Sequence, residues 1–150
     1  MQTDTEASEP LTIGKVAARA GVGVETIRFY ERKGLIRRPT TRARGFRRYS
    51  VEAVERVTFI RGAKDLGFSL REVRDLLSIR DERGATCADM RERAKAKLVD
   101  VDARIANLKR MRKSLAALMH TCDGTAPVAK CPIVVSLKAG RRPGGLRAQG

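Results

Sequence analysis

From Ala88 to His120 the chain runs without a glycine or a proline, and this run constrains the fold more than any other feature. Within it Leu98, Ile105 and Met119 fall on one seven-residue register, interrupted by Arg112, while Ala94, Val101, Leu108 and Leu115 form a second row. Apolar rows at that period describe the seam of a coiled coil, in which each helix buries its stripe against another. A chain of 150 residues is then one ordinary domain, or a small head joined to a helical extension. It is too short for a multi-domain enzyme.

The cysteines extend the second row. Cys87 stands seven residues before Ala94, Cys122 seven after Leu115, and Cys131 follows beyond "DGTAPVAK". The 35 residues from Cys87 to Cys122 rise about 50 Å as an α-helix, so these two thiols of one chain cannot share a ligand. If two such helices pair antiparallel, Cys87 of one chain approaches Cys122 and Cys131 of the other, and two-fold symmetry makes two such places. One reading takes the thiols as small core residues on the seam. The other takes them as a soft ligand set, suited to thiophilic ions and not to hard cations. His120 lies roughly 200° around the helix from Cys122 and is the secondary candidate for a fourth ligand. Cys87, at a helix start, would have its thiolate favoured by the helix dipole. An odd number of cysteines in a reducing compartment argues against a disulfide framework.

The formal charge is +15, from 32 Lys and Arg against 17 Asp and Glu. Such an excess points to a polyanion, either nucleic acid or an anionic membrane surface. Nine of the basic residues lie between Arg28 and Arg48, with Glu31 the only acid among them; a plain solvated face is the alternative reading of that run. No apolar run nears the roughly 18 residues that span a bilayer, and "MQTDTEASEP" is polar and acidic where a signal peptide would be basic and then apolar. The expectation is a cytoplasmic protein without membrane contact.

Upstream of the long helix, Thr12 is placed to cap "IGKVAARA" and Gly21 to stop it, with a second short helix in "ETIRFYERKG". The pair reads as a helix-turn-helix, with Ile27 and one of Phe29 or Tyr30 turned inward, and Thr26, Arg28 and the other aromatic outward. "IRRPTTRARGFRRYS" then reads as a basic β-ribbon, or wing. A helix in the major groove with such a wing on the backbone would hold position through phosphates and read sequence through a few side chains. Ser50 is placed to cap the next helix, whose Val54, Val57, Ile60, Ala63 and Leu66 form a stripe, and Ser69 with Glu72 gives a capping box for "LREVRDLLSI".

As a combination, "LTIGKVAARAGVGVETIRFYERKGLI", the "GFRRY" wing and "LGFSLREVRDLL", covering about residues 11 to 79, resemble the MerR family of transcription regulators. The resemblance implies a homodimer on double-stranded promoter DNA with a long spacer, which distorts that DNA when its effector binds and lets RNA polymerase initiate. It also implies DNA contacts from Arg28 and Tyr30 on the recognition helix, beside the outward Thr26, and from Phe46 and Arg47 on the wing. Phe46 stands where the family often has Tyr. Cys87, Cys122 and Cys131 match in number and spacing the ligands of the family's mercury(II)-responsive members, in which three cysteines from two subunits hold one Hg(II). "KLVDVDARIANLKRM" and "CPIVVSL" are similar to their coiled coil and post-cysteine segment. Lead(II)- and cadmium(II)-responsive members are the close alternative. Copper and zinc members differ in loop length and ligands, and the iron–sulfur member needs four clustered cysteines.

The fold class expected is all-α with a small β wing: a winged helix-turn-helix head plus a long antiparallel dimerisation coiled-coil helix. The divisions are a disordered 1–10, a DNA-binding head over 11–80, the dimerisation helix over 81–121, a metal-binding loop and short segment over 122–137, and a disordered basic tail over 138–150 adding weak phosphate contacts. An enzyme working through its thiols would want a Cys-x-x-Cys pair or a cofactor loop, and neither is present. A purely architectural DNA binder would leave the registered cysteines unexplained.

Overall fold

The computed structural model describes residues 11–40, 42–43 and 45–140; the terminal segments expected to be disordered, 1–10 and most of 138–150, lie outside the described residues. The element order is α1 (Ile13–Ala20), α2 (Val24–Arg32), β1 (Arg42–Ala43), β2 (Phe46–Arg47), α3 (Val51–Asp65), α4 (Leu70–Asp81), α5 (Cys87–Thr121), a 3-10 turn at Val128–Lys130 and α6 (Pro132–Lys138). Lys138, assigned above to the tail, therefore closes a helix. Two compact units divide within α5, between Arg93 and Ala94.

The first unit is organised by its caps. The Thr12 hydroxyl accepts the Lys15 N–H, and Gly21 ends α1 at φ 66°. Ser69 and Glu72 form the reciprocal box that opens α4, the Ser69 N–H donating to Glu72 Oε2 at 2.7 Å. Ser50 occupies the N-cap of α3 but makes no capping bond with its side chain. Its hydroxyl faces the Glu52 carboxyl instead and holds it below the usual carboxylate range.

Four helices close over a core whose innermost side chains, Val16, Ile27, Leu35, Val57, Ile60, Val73 and Leu77, are almost wholly excluded from water. The stripe expected on α3 holds at Val57, Ile60 and Ala63 and fails at Leu66. Leu66 is 71% exposed because the helix ends one residue earlier and Leu66 is its C-cap. Gly67, at φ 84°, turns the chain so that Phe68 enters the core. Met90, in the first turn of α5, packs against the same cluster, so this unit runs past the end of α4.

Three arginines donate to backbone carbonyls at or just beyond helix ends. Arg61 of α3 donates from Nη1 to the carbonyls of Ala20 (3.0 Å) and Gly21 (3.3 Å) at the end of α1. Arg74 of α4 donates to Lys33 O at 2.6 Å, just past α2, and Arg56 to Leu35 O at 2.7 Å while pairing with Asp81. Gly21 is constrained by a φ that disfavours any Cβ, and a Cβ there would also push the Arg61 guanidinium from its place over these carbonyls. Gly21→Ala should lower unfolding free energy by about 1–3 kcal/mol. Gly62→Ala, mid-α3 with open space around its Cα, should be neutral or stabilising by up to about 1 kcal/mol. Denaturant titrations of both variants at one protein concentration check the pair; equal stabilities would refute the constraint.

The second unit comprises α5 from Ala94, the 3-10 turn and α6. Of the expected seam, Leu98, Ile105, Leu108, Leu115 and Met119 stand exposed on the single chain, while Val101 is half-buried. Lys97 is buried with its Nζ 3.4 Å from Asp100, which also accepts from Arg104. Among the described residues no helix is long and apolar enough to cross a membrane.

Candidate nucleic-acid interface and thiol site

Helix α2 presents Arg28 to solvent, where it pairs with Glu25 at 2.9 Å. Both side chains are more than half exposed, and an ion pair of that kind contributes little to stability, so the guanidinium is readily exchanged to another anion. Thr26, on the same helix, is half-buried. Of the two aromatics that spacing left open, Tyr30 is the one turned inward and buried in the core, which sets its ring apart from the DNA contact that the resemblance implies. It lies three positions after Ile27, which places both on one face of the helix, and that face is the one that packs. Burial, and then Asp65, raise its pKa. Phe29 is the half-buried aromatic, with Lys33 Nζ 5.7 Å from its ring centre.

The wing is an antiparallel pair with Arg42 opposite Arg47 and Ala43 opposite Phe46, turning through Gly45 at φ 82°. Alternation along a strand sends Phe46 outward, 67% exposed, and leaves Arg47 half-buried. The base of the wing is latched to the head. Leu11 and Tyr49 exchange both backbone hydrogen bonds at 2.8 Å, and the Tyr49 hydroxyl donates to Glu31 Oε1 of α2 at 2.7 Å. Burial, followed by Glu31, pushes the Tyr49 pKa up to about 12. Between α2 and the wing lies a cleft lined by Arg28, Arg32, Arg38, Arg47, Phe46 and Glu31. Sequence reasoning missed Arg32, Arg38 and the Tyr49 latch. The available signal was Glu31, the lone acid in a basic run, whose carboxylate holds the tyrosine.

The loop after α5 folds back on itself. Asp123 accepts the Thr125 N–H at 3.0 Å, an Asx-type turn that lowers the Asp123 pKa, and Gly124 follows at φ 76°. The 3-10 turn then brings Cys131 to the head of α6, where Cys122 Sγ and Cys131 Sγ are 3.8 Å apart. The N–H groups of Val134 and Ile133, aimed at the Cys131 sulfur, and the Cys122 thiol hold the Cys131 pKa below the ordinary thiol value. Backbone N–H groups at the start of α6 thus favour the Cys131 thiolate. Two sulfurs at this separation can both reach one ion at the roughly 2.3 Å of a metal–thiolate bond.

Cys87 is the exposed first residue of α5. Just before it the Thr86 N–H and hydroxyl both donate to Asp89 Oδ2, which lowers the Asp89 pKa. His120 is exposed on the last turn. Among the described residues no three His, Cys, Asp or Glu side chains of one chain gather into a metal cluster. One chain therefore supplies two of the three expected thiols to one place.

A latched wing, a recognition helix and four arginines around one cleft make the head a winged helix-turn-helix reader of nucleic acid, and known proteins agree. The family described as "MerR HTH family regulatory protein" matches residues 11–79, and that described as "MerR, DNA binding" matches residues 54–118. A mercuric resistance operon regulatory protein of Pseudomonas fluorescens is 43% identical over 132 residues, 88% of this chain and 90% of that one. The transcription regulator PbrR691 from Ralstonia metallidurans CH34, solved with lead(II), superposes with a TM-score of 0.75 at 30% identity, over 85% of this chain and 98% of that one. MerR of Bacillus megaterium MB1, solved with mercury(II), gives a TM-score of 0.65 at 35% identity, over 85% and 99%. This protein is a DNA-binding transcription regulator. It belongs to the MerR family.

Proposed function

We propose that this chain is a mercury(II)-responsive regulator, active as a cytoplasmic homodimer. It holds promoter DNA through the α2–wing cleft and binds one Hg(II) at each site formed by Cys87 of one subunit with Cys122 and Cys131 of its partner. Binding distorts the promoter so that RNA polymerase initiates; no catalysis is involved. The single observation that carries the metal reading is the Cys122–Cys131 thiol pair at 3.8 Å, a soft donor set with no hard oxygen ligand among its named partners. The similarity to mercuric resistance regulators selects Hg(II) within that chemistry. The exposed apolar rows of α5 are the surface a second copy would cover, antiparallel. Lead(II) or cadmium(II) is the second reading, favoured by the fold similarity to the lead(II)-complexed regulator.

The deciding experiment is transcription in vitro from the cognate promoter against Hg(II), Pb(II), Cd(II), Zn(II) and Cu(I) under a competing thiol. Hg(II) should activate at the lowest concentration, with an ultraviolet charge-transfer band that Cys131→Ser abolishes without loss of DNA binding. Activation by Pb(II) or Cd(II) ahead of Hg(II) would replace the first reading with the second.

Thr26, Arg28, Phe46 and Arg47 form the proposed DNA-contacting set, extended by Arg32 and Arg38, which line the same cleft as Arg28, Phe46 and Arg47. Tyr30 leaves it because its ring is buried. Arg28→Ala and Arg47→Ala should each cost operator binding about 1–3 kcal/mol, with metal uptake unchanged. Gel-shift titration reads this directly, and wild-type affinity in both variants would refute the docking.

A further inference from the structure

We propose that Cys122 and Cys131 are also a reversible redox modification site, closing into an intrachain disulfide that shuts off metal binding. The two sulfurs face each other at 3.8 Å, half-buried, on a loop with backbone hydrogen bonds at both ends: Cys122 N–H to Met119 O and Cys131 N–H to Val128 O. Bond formation needs the sulfurs to close to about 2.05 Å, a short movement for side chains already in contact. Cys87 is exposed, belongs to the other compact unit and has no such neighbour within its own chain among the described residues. Within one chain the chemistry is therefore confined to the Cys122–Cys131 pair.

The oxidant is a low-molecular-weight disulfide. The thiolate of one cysteine attacks an oxidant sulfur, forming a mixed disulfide and releasing one small thiolate. The second cysteine, as thiolate, then attacks the protein sulfur of that mixed disulfide and displaces the second small thiolate. Two protein thiols are oxidised, one small disulfide is reduced to two thiols, and the two protons go to solvent or to the departing thiolates. A transient disulfide of this kind is compatible with a reducing cytoplasm, where such bonds are sensing devices and not structural ones. The formation of the bond stands on the geometry alone; its effect on metal binding rests on the proposed Hg(II) site, since both sulfurs are withdrawn from the ligand set.

The test treats the full-length protein with glutathione disulfide, alkylates the remaining thiols and digests with trypsin. Cleavage after Lys113, Lys130 and Lys138 separates the two cysteines. The expected product is a disulfide joining peptide 114–130 to peptide 131–138, with Cys87 alkylated and accessible thiols falling from three to one per chain. The oxidised protein should lose Hg(II) binding and regain it with dithiothreitol. Cys87→Ser, which cannot complete a three-thiol site, should still form the bond, so the linkage is read independently of the metal. Three alkylatable thiols, persistent glutathione adducts, or a bond joining Cys87 to another subunit would overturn the pair as a redox site. A linked protein that binds Hg(II) like the reduced one would overturn the shut-off. If the reduced protein itself fails to bind Hg(II), the metal reading and the shut-off both fall, while the linked peptides still decide the disulfide.

Discussion

Homodimers carrying Cys87→Ser, and separately Cys122→Ser, should each lose tight Hg(II) binding under a competing thiol, and heterodimers of the two variants should regain half the wild-type stoichiometry. Helix α5 is continuous over 35 residues, with Cys87 as its first residue and Cys122 next after its last. A helix of that length rises about 50 Å. Cys122 and Cys131 meet within one chain, so the third thiol of the proposed site must come from a second copy. In the heterodimer one subunit keeps Cys87 and the other keeps Cys122 with Cys131, which completes one site. The second place loses two ligands. A site built within one chain would predict no recovery, because each subunit would stay defective whatever its partner. The measurement is metal binding by purified, differently tagged heterodimers, and absence of a tight site would sink the intersubunit arrangement.

Ile27→Ala should lower the unfolding free energy of the head by about 2–5 kcal/mol. Ile27 is fully buried and ties the recognition helix to a core formed by side chains from α1, α3 and α4. Deleting its methyl groups removes transfer energy and leaves a cavity, and a loss of that size is a large fraction of the roughly 5–15 kcal/mol that holds an ordinary domain together. Leu66→Ala removes a comparable side chain at a position 71% exposed and should stay within about 0.5 kcal/mol. The two variants, unfolded side by side at equal concentration, separate burial from composition. Equal destabilisation would show that the core is not where the structure puts it.

The periodic features were legible because each depends on residues close in sequence. Thr12 and Gly21 bracket α1, Ser69 and Glu72 cap one another across three residues, and α5 follows from a long run without helix breakers. The basic run contained the arginines that line the cleft between α2 and the wing, and the cysteine spacing singled out two thiols that the structure brings to 3.8 Å. Spacing alone left Phe29 and Tyr30 undecided, since neighbours on a helix differ by only about 100° and either could have turned inward.

The sequence by itself determined the helices, their local caps, the basic segment and the heptad register of Cys87 and Cys122, all of which are set by local sterics, hydrogen bonding and period. Only the tertiary structure decided which charges serve the fold. Arg56, Arg61 and Arg74 count toward the same net charge as Arg28 and Arg47, yet they cap carbonyls that lie 21 to 41 residues away. It likewise chose Tyr30 over Phe29 for the core, Phe68 over Leu66, and Glu31 as the anchor of Tyr49. The reason is common to all of these. A side chain's role is settled by what the folded backbone brings beside it, and the 3.8 Å approach of Cys122 to Cys131 depends on a loop whose Asx turn, positive-φ glycine and 3-10 turn act together and have no signature in spacing.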